Sequence, residues 1–169
     1  MKHKIFGIII ICICTLLTSC MSGGDEKVEA IFNGEWKCQY YIDIRSRKFR
    51  VEETTKYDSN RHTYDTRMKL VEIYPASVDF GTFIYGGKWK ANDKFVYGKI
   101  DNKKVKFEVN PEYYDRHAQD GFYKAILKYL KDTRYKEDYF ITLFKEDDIR
   151  LYSEDRDTSY DLYRDDDKE

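Results

Sequence analysis

The feature that most constrains the fold is a two-residue alternation of apolar and polar side chains from Trp36 to Arg45. It is interrupted only by Tyr41, and its apolar positions are Trp36, Cys38, Tyr40, Ile42 and Ile44. Successive side chains of a β-strand point to opposite faces, so the pattern predicts a strand with one buried face. The folded part of the chain therefore begins with a half-buried strand.

Further apolar or alternating segments follow, separated by sequences typical of turns. The segment at 66–74 changes face part-way, which indicates a β-bulge. The other predicted strands are 47–57, 77–85, 88–90, 95–100, 105–109, 139–144, 149–153 and 159–164. Turns are predicted between them, including one at the pair Gly86-Gly87.

One stretch, at about 111–131, has a helical period instead. Asn110 suits the cap position and Pro111 the first helical position. Its apolar stripe consists of Phe122, Ile126, Tyr129 and Leu130. About 8–10 strands with one helical segment predict a mainly β fold, an antiparallel barrel or sandwich, and closure into a barrel would remove exposed strand edges.

Two short motifs resemble those of lipocalin-like barrels. Asn33-Gly34-Glu35-Trp36 is similar to the Gly-x-Trp motif of the first strand, and Tyr160 to Arg164 is similar to the last strand. The resemblance implies that the guanidinium of Arg164 packs over the indole of Trp36 and closes the barrel, with Arg150 as the other candidate. It also implies an interior that binds a small apolar ligand, although abundant aromatic side chains could fill that interior instead.

The N-terminus reads as a secretory signal. Met1 to Lys4 is basic, and the apolar run from Ile5 to Leu17 is followed by Leu17-Thr18-Ser19-Cys20. As a helix the run would reach about 20 Å, short of a hydrocarbon core of about 30 Å. The last four residues resemble the lipobox of bacterial lipoproteins. That resemblance implies cleavage after residue 19 and a diacylglyceryl group on Cys20, which would anchor the chain to the membrane.

The same resemblance sets the predicted domains and location. Residues 1–19 are the signal peptide, 20–30 a lipidated flexible tether, 31–164 a single barrel domain and 165–169 an acidic tail. Position 21 is methionine rather than the aspartate associated with inner-membrane retention, so the prediction is an outer-membrane lipoprotein of the cell envelope.

Cysteine count and charge narrow the function classes. With Cys12 and Cys14 in the signal and Cys20 lipidated, Cys38 remains alone, so no internal disulfide is expected and Cys38 is predicted to be a small buried residue. Removal of residues 1–19 leaves 28 basic against 31 acidic side chains. This balance argues against a nucleic-acid partner.

No motif for catalysis, metal binding or a cofactor was found. His62 and His117 are too few and too far apart for a zinc site. The alternating oxygen-bearing residues from Asp155 to Asp161 resemble the start of a calcium loop, but Tyr160 stands where that loop needs glycine, so a hairpin turn is the preferred interpretation. The prediction is a protein that is not an enzyme and needs no cofactor.

Three hypotheses remain open. The leading one is a non-enzymatic, lipid-anchored barrel that binds a small apolar or amphiphilic ligand. The runner-up is an envelope interaction protein, of inhibitor or immunity type, that uses a tyrosine-rich surface. A hydrolase of the cell envelope is the third.

Overall fold

The computed structural model describes residues 24–44, 47–74, 77–112, 121, 124, 136–145, 147–154 and 156–164. These residues form one short helix, α1 (Glu26–Phe32), and a 3-10 helical turn at Asn102–Lys104. They also form nine strands: β1 (Gly34–Ile44), β2 (Arg47–Asp58), β3 (Thr63–Tyr74), β4 (Val78–Ala91), β5 (Phe95–Ile100), β6 (Lys106–Val109), β7 (Lys136–Phe144), β8 (Asp148–Ser153) and β9 (Thr158–Tyr163).

Eight of these strands close into an antiparallel barrel. Their order is β3-β2-β1-β9-β8-β7-β5-β4, and pairing of β3 with β4 completes the ring, while β6 pairs with one end of β4. The prediction of a mainly β, antiparallel barrel is therefore confirmed, and the barrel is compatible with a lipocalin-like fold. Inward-facing apolar side chains of all eight strands form the core.

The register bears out one irregularity predicted from the sequence. The pairing of β3 with β4 shifts between Leu70 and Val71, where the alternation changes face. The extra residue of this bulge is Phe80 on β4, because Leu70 pairs with Gly81 and Val71 with Asp79. Leu70, Val71 and Phe80 are all buried.

The predicted turn at Gly86-Gly87 was wrong, because β4 runs straight through it. Both glycines lie where neighbouring backbones come close. A Cβ atom at Gly86 would lie 2.5 Å from the carbonyl oxygen of Tyr64, and one at Gly87 would lie 1.9 Å from that of Lys99. These positions need glycine for close approach between strands, which the sequence does not distinguish from a turn.

The flexible tether predicted for 20–30 was also wrong over its described part. Asp25 caps α1 by accepting a hydrogen bond from the amide of Lys27 at 2.9 Å. Val28 and Phe32 lie one turn apart and are both buried against the barrel. The helix has only seven residues, which is too short for a helical period to be recognised from the sequence.

The helical segment predicted at about 111–131 lies mostly outside the described residues. At its start, Pro111 and Glu112 are helical, and the amide of Glu112 donates to the side-chain oxygen of Asn110 at 3.0 Å. In the described part of the chain, no helix is both long and apolar enough to cross a membrane.

Candidate functional site

The end of the barrel beside α1 is filled by aromatic side chains. Phe32 and Trp36 are 0% and 1% exposed. The ring of Phe32 lies 5.7 to 6.2 Å, between centroids, from those of four other residues: Trp36, Tyr57, Trp89 and Phe144. The indole nitrogen of Trp36 donates to the carbonyl oxygen of Phe32 at 2.7 Å. We call this group, with Val28 and Arg164, the closed end.

Arg164 covers the outside of the closed end. Its guanidinium carbon lies 4.5 Å from the centroid of the Trp36 ring. One guanidinium nitrogen donates to the carbonyl oxygens of Ile31 at 2.6 Å and Asn33 at 3.1 Å. These bonds join the last strand to the C-terminal turn of α1, where helix carbonyl groups otherwise lack partners. The structure thus brings the two ends of the domain together at one side chain.

Gly34 occupies the start of β1 with φ of +111°, a conformation that side chains with a Cβ rarely adopt. A Cβ atom there would meet only the guanidinium of Arg164, at 3.9 Å. Backbone conformation, rather than space, therefore requires glycine. Gly34, Trp36 and Arg164 lie side by side, whereas Arg150 is exposed on the outer wall and pairs with Asp161. Cys20 lies outside the described residues.

The middle of the barrel is different, because it encloses a cavity of about 30 Å³. Its lining is mostly tyrosine and hydroxyl side chains with one acid: Cys38, Glu53, Thr55, Tyr57, Tyr64, Thr66, Tyr139, Leu151, Tyr160 and Leu162. The hydroxyls of Thr55 and Thr66 share a hydrogen bond of 2.9 Å. A cavity volume of about 10–15 Å³ is enough for one water molecule, so this cavity accommodates one or two groups of that size.

Glu53 is the acid in this lining. It lies on β2 in the inward row of Phe49 and Val51, opposite Cys38 on β1. One carboxylate oxygen accepts from the hydroxyl of Tyr40 at 3.1 Å, and the other from that of Thr55 at 3.4 Å. Burial raises the pKa of Glu53, and these hydrogen bonds together with the charge of Arg156 oppose that shift.

The pKa values of two neighbours of Glu53 are also raised. Burial, and then the charge of Glu53, raise the pKa of the Cys38 thiol and the pKa of the Tyr40 hydroxyl. Cys38 is 5% exposed, so the predicted buried small residue is confirmed. A thiol in this environment stays protonated and is a poor nucleophile.

The seam between β1 and β9 is the least paired part of the barrel. The described residues of β1 and β9 share one register pair, Lys37 with Tyr163, whereas β1 pairs with β2 along its whole length. Across the seam the rings of Tyr40 and Tyr160 meet edge to face, with centroids 4.8 Å apart. The cavity has lining residues on both sides of this seam.

Arg156 lies beside the same seam, in the turn between β8 and β9. Its guanidinium donates to the hydroxyl of Tyr160 at 3.3 Å. Its charge lowers the pKa of both Tyr160 and Glu53, although burial raises each by more. The segment predicted as a hairpin turn rather than a calcium loop therefore connects β8 to β9 and directs a cation toward the cavity.

Of the two histidines considered as metal ligands, His62 lies among the described residues. His62 is exposed, but its Nδ1 lies 3.1 Å from a carboxylate oxygen of Glu29, whose side chain is 3% exposed. The other carboxylate oxygen of Glu29 accepts from the amide of Ala91 at 3.2 Å. This contact ties α1 to the barrel. His117 lies outside the described residues, and within those that are described no three His, Cys, Asp or Glu side chains gather as metal ligands would.

Glu53 is not among the residues predicted from the sequence to form a site, although the alternation of β2 pointed to it. In β2 the residues at 49, 51, 53, 55 and 57 share one face, and Glu53 is the only charged member of that row. The alternation is weak there because both acids, Glu52 and Glu53, are adjacent. The outward one, Glu52, forms an ion pair with Arg50 at 2.8 Å.

No protein-family model matches the chain, and no curated protein matches it. The geometry of the cavity and the sequence of the N-terminus are therefore the observations that bear on function.

Proposed function

We propose that this chain is a lipid-anchored protein of the bacterial cell envelope, of the outer membrane, whose barrel binds a small amphiphilic ligand in its interior. Two separate features support the proposal. The residues before Cys20 resemble a lipobox, and the middle of the barrel has a tyrosine-lined cavity with a carboxylate. The observation that carries the ligand-binding part is Glu53, an acid held inside the barrel.

The composition of the cavity favours an amphiphilic ligand over a purely apolar one. A hydrocarbon would leave the carboxylate of Glu53 and the hydroxyls of Thr55 and Thr66 without new partners, which costs free energy. The size is also restrictive, because ligand pockets usually have about 300–1,000 Å³ and this one has about 30 Å³. Only a polar head group fits, with its tail leaving at the seam between β1 and β9.

The test is binding of three short amphiphiles, hexan-1-ol, hexylamine and hexanoate, to the purified protein. Intrinsic fluorescence of the tyrosines and tryptophans reports binding. We expect one of the three to bind with one molecule per chain. Leu151→Phe, which adds volume to the cavity lining, should weaken that binding at least about tenfold.

The matched control is Leu143→Phe, the same substitution on the neighbouring strand. Leu143 pairs with the outward-facing Arg150, so the added ring would lie on the outer wall. Its binding should equal that of the unaltered protein. If none of the three amphiphiles binds, or if Leu151→Phe binds as tightly as Leu143→Phe, the ligand-binding proposal is wrong.

The lipid anchor has an independent test. The proposal expects Cys20→Ser to move the protein from the membrane fraction to the soluble fraction, because serine cannot accept the diacylglyceryl group through a thioether. Cys38→Ser is the matched control and should remain in the membrane fraction, since its thiol is buried in the barrel. Mass spectrometry of the purified protein should show the added lipid only when Cys20 is present.

A second candidate function is an envelope interaction module. Tyr41 and Tyr74 are 54% and 64% exposed on the outer wall, and Lys48 lies between them, with its ammonium 5.6 Å from the centroid of the Tyr41 ring. Exposed tyrosines beside a cation are common at protein interfaces. A photo-reactive residue at position 74 should then cross-link one envelope protein that the same residue at Lys56, elsewhere on this wall, does not.

A further inference from the structure

Taking the ligand-binding function as given, we propose that the cavity selects the primary ammonium group of an amine. The carboxylate of Glu53 would hold the charge, and the surrounding tyrosine rings would enclose it. A primary amine is a narrower class of ligand than an amphiphile. Four properties of the cavity support it: its charge, its rings, its size and the nearby Arg156.

The charge comes from Glu53 alone among the residues that line the cavity. An ionised carboxylate can accept about four hydrogen bonds. It accepts from two hydroxyl donors, Tyr40 at 3.1 Å and Thr55 at 3.4 Å, and the second of these bonds is long. An ammonium group would supply a charged donor in a region of low dielectric constant, where such bonds are strongest.

The rings suit a cation for a separate reason. Four tyrosines contribute to the lining: Tyr57, Tyr64, Tyr139 and Tyr160. The face of an aromatic ring carries partial negative charge and attracts cations, most strongly where water is excluded. The edge-to-face contact between Tyr139 and Tyr160, with centroids 5.6 Å apart, fixes one corner of this enclosure. Anions gain nothing from ring faces, so the rings and the carboxylate favour the same sign of charge.

The size selects among cations. A cavity of about 30 Å³ accommodates one or two groups the size of a water molecule. A primary ammonium group has that size, whereas a trimethylammonium group is several times larger. The three protons of the primary group can also meet the carboxylate of Glu53 and the hydroxyls of Thr55 and Thr66. A quaternary group has no proton to donate.

Arg156 supplies a positive charge near Glu53 when no ligand is bound. Its guanidinium bonds the hydroxyl of Tyr160 at the seam, and its charge lowers the pKa of Glu53. An incoming ammonium group would place a second positive charge near this guanidinium, and the two cations would repel each other. Removing the charge of Arg156 should therefore strengthen amine binding, while removing that of Glu53 should abolish it.

The experiment compares hexylamine with hexyltrimethylammonium and with hexanoate, at constant ionic strength, by intrinsic fluorescence. We expect hexylamine to bind at least about tenfold more tightly than either of the others. Glu53→Gln should weaken hexylamine binding at least tenfold, and Arg156→Gln should strengthen it severalfold. Potassium chloride at the same concentration as the amine should give no fluorescence change.

Two matched controls keep the charge changes interpretable. Glu52→Gln removes the neighbouring acid, whose side chain points outward and pairs with Arg50. Arg67→Gln removes an exposed arginine that pairs with Glu108 on the outer wall. Both should bind hexylamine like the unaltered protein. Circular dichroism of each variant would confirm that the barrel is folded.

Contrary outcomes separate this inference from the function on which it depends. If hexanoate binds and Arg156→Gln abolishes its binding, the barrel binds ligands but the ammonium proposal is overturned in favour of an anion. Equal binding of hexyltrimethylammonium would overturn the size argument. An equal response to potassium would show a site for simple monovalent cations. If no amphiphile binds, the ligand-binding function itself fails.

Discussion

The closed end and the cavity are adjacent parts of one barrel, yet their side chains differ in kind. At the closed end, Phe32, Trp36 and Trp89 are at most 3% exposed and pack ring against ring. In the cavity, hydroxyl groups and the carboxylate of Glu53 surround an unfilled volume of about 30 Å³. The first region buries mainly apolar area, which stabilises a fold. The second buries a charged group, which usually costs stability.

This difference indicates a division of roles. Buried aromatic packing at the closed end fixes α1, β1 and the segment after β9 in one arrangement. The barrel can then tolerate a less favourable group in its middle. Perturbed acids in clefts are typical of binding and catalytic sites, although ion-pair networks produce them as well. The closed end therefore contributes mainly to stability, and the middle of the barrel contains the candidate functional site.

The largest expected effect comes from Trp36→Ala at the closed end. Removing a fully buried indole leaves a void beside Phe32 and removes the ring beneath Arg164, so the free energy of unfolding should fall by about 3–5 kcal/mol. Urea unfolding measures this change. Tyr41→Ala, on the exposed side of the same strand, should stay within about 0.5 kcal/mol. Similar losses in both variants would show that Trp36 has no special place in the core.

A smaller effect is expected for Arg164→Gln. The glutamine loses the charge over Trp36 and at least one of the bonds to the carbonyl groups of Ile31 and Asn33. A loss of about 1–2 kcal/mol in the free energy of unfolding is expected. Arg67→Gln removes an exposed ion pair and should cost at most about 1 kcal/mol. No difference between the two would mean that Arg164 acts only as a surface charge.

Much of the barrel could be predicted because alternation is a local property. The register shift beside Leu70 and Val71 and the strand β1 follow directly from which residues face inward. The predictions that were wrong have a different cause. Gly86 and Gly87 look like a turn, and only the approach of β3 and β5 shows that they lie within a strand. Contacts between distant segments decide such positions, and a local pattern does not contain them.

The candidate site shows the same limit. The two-residue alternation of β2 places Glu53 on the inward face, so an inward-facing acid could be predicted from the sequence. Its relation to Arg156 was not, because the two lie about a hundred positions apart and meet only when β9 closes the barrel beside β1. The helix α1 was missed because seven residues are too few to show a helical period without the barrel against which they pack.

The smallest expected effect concerns Glu53→Gln and is a gain in stability. Burial raises the pKa of Glu53 in the folded state above its value in the unfolded chain. The folded protein therefore binds the proton more tightly, and the stabilisation from protonated Glu53 is complete below the unfolded pKa and lost as the pH rises through the folded one. Glutamine keeps the shape without that loss. The melting temperature of the variant should exceed that of the unaltered protein at pH 8.

The gain should shrink as the solution is acidified, because Glu53 then becomes protonated and resembles glutamine. Its facing groups are Cys38 and Tyr40 on β1, Thr55 on β2, Arg156 in the turn and Tyr160 on β9. The hydrogen bonds from Tyr40 and Thr55 and the charge of Arg156 all oppose the effect of burial on Glu53. A lower melting temperature of Glu53→Gln at pH 8 would mean that these interactions together outweigh burial and that Glu53 stabilises the barrel. Glu52→Gln, with its outward carboxylate, should show no such dependence on pH.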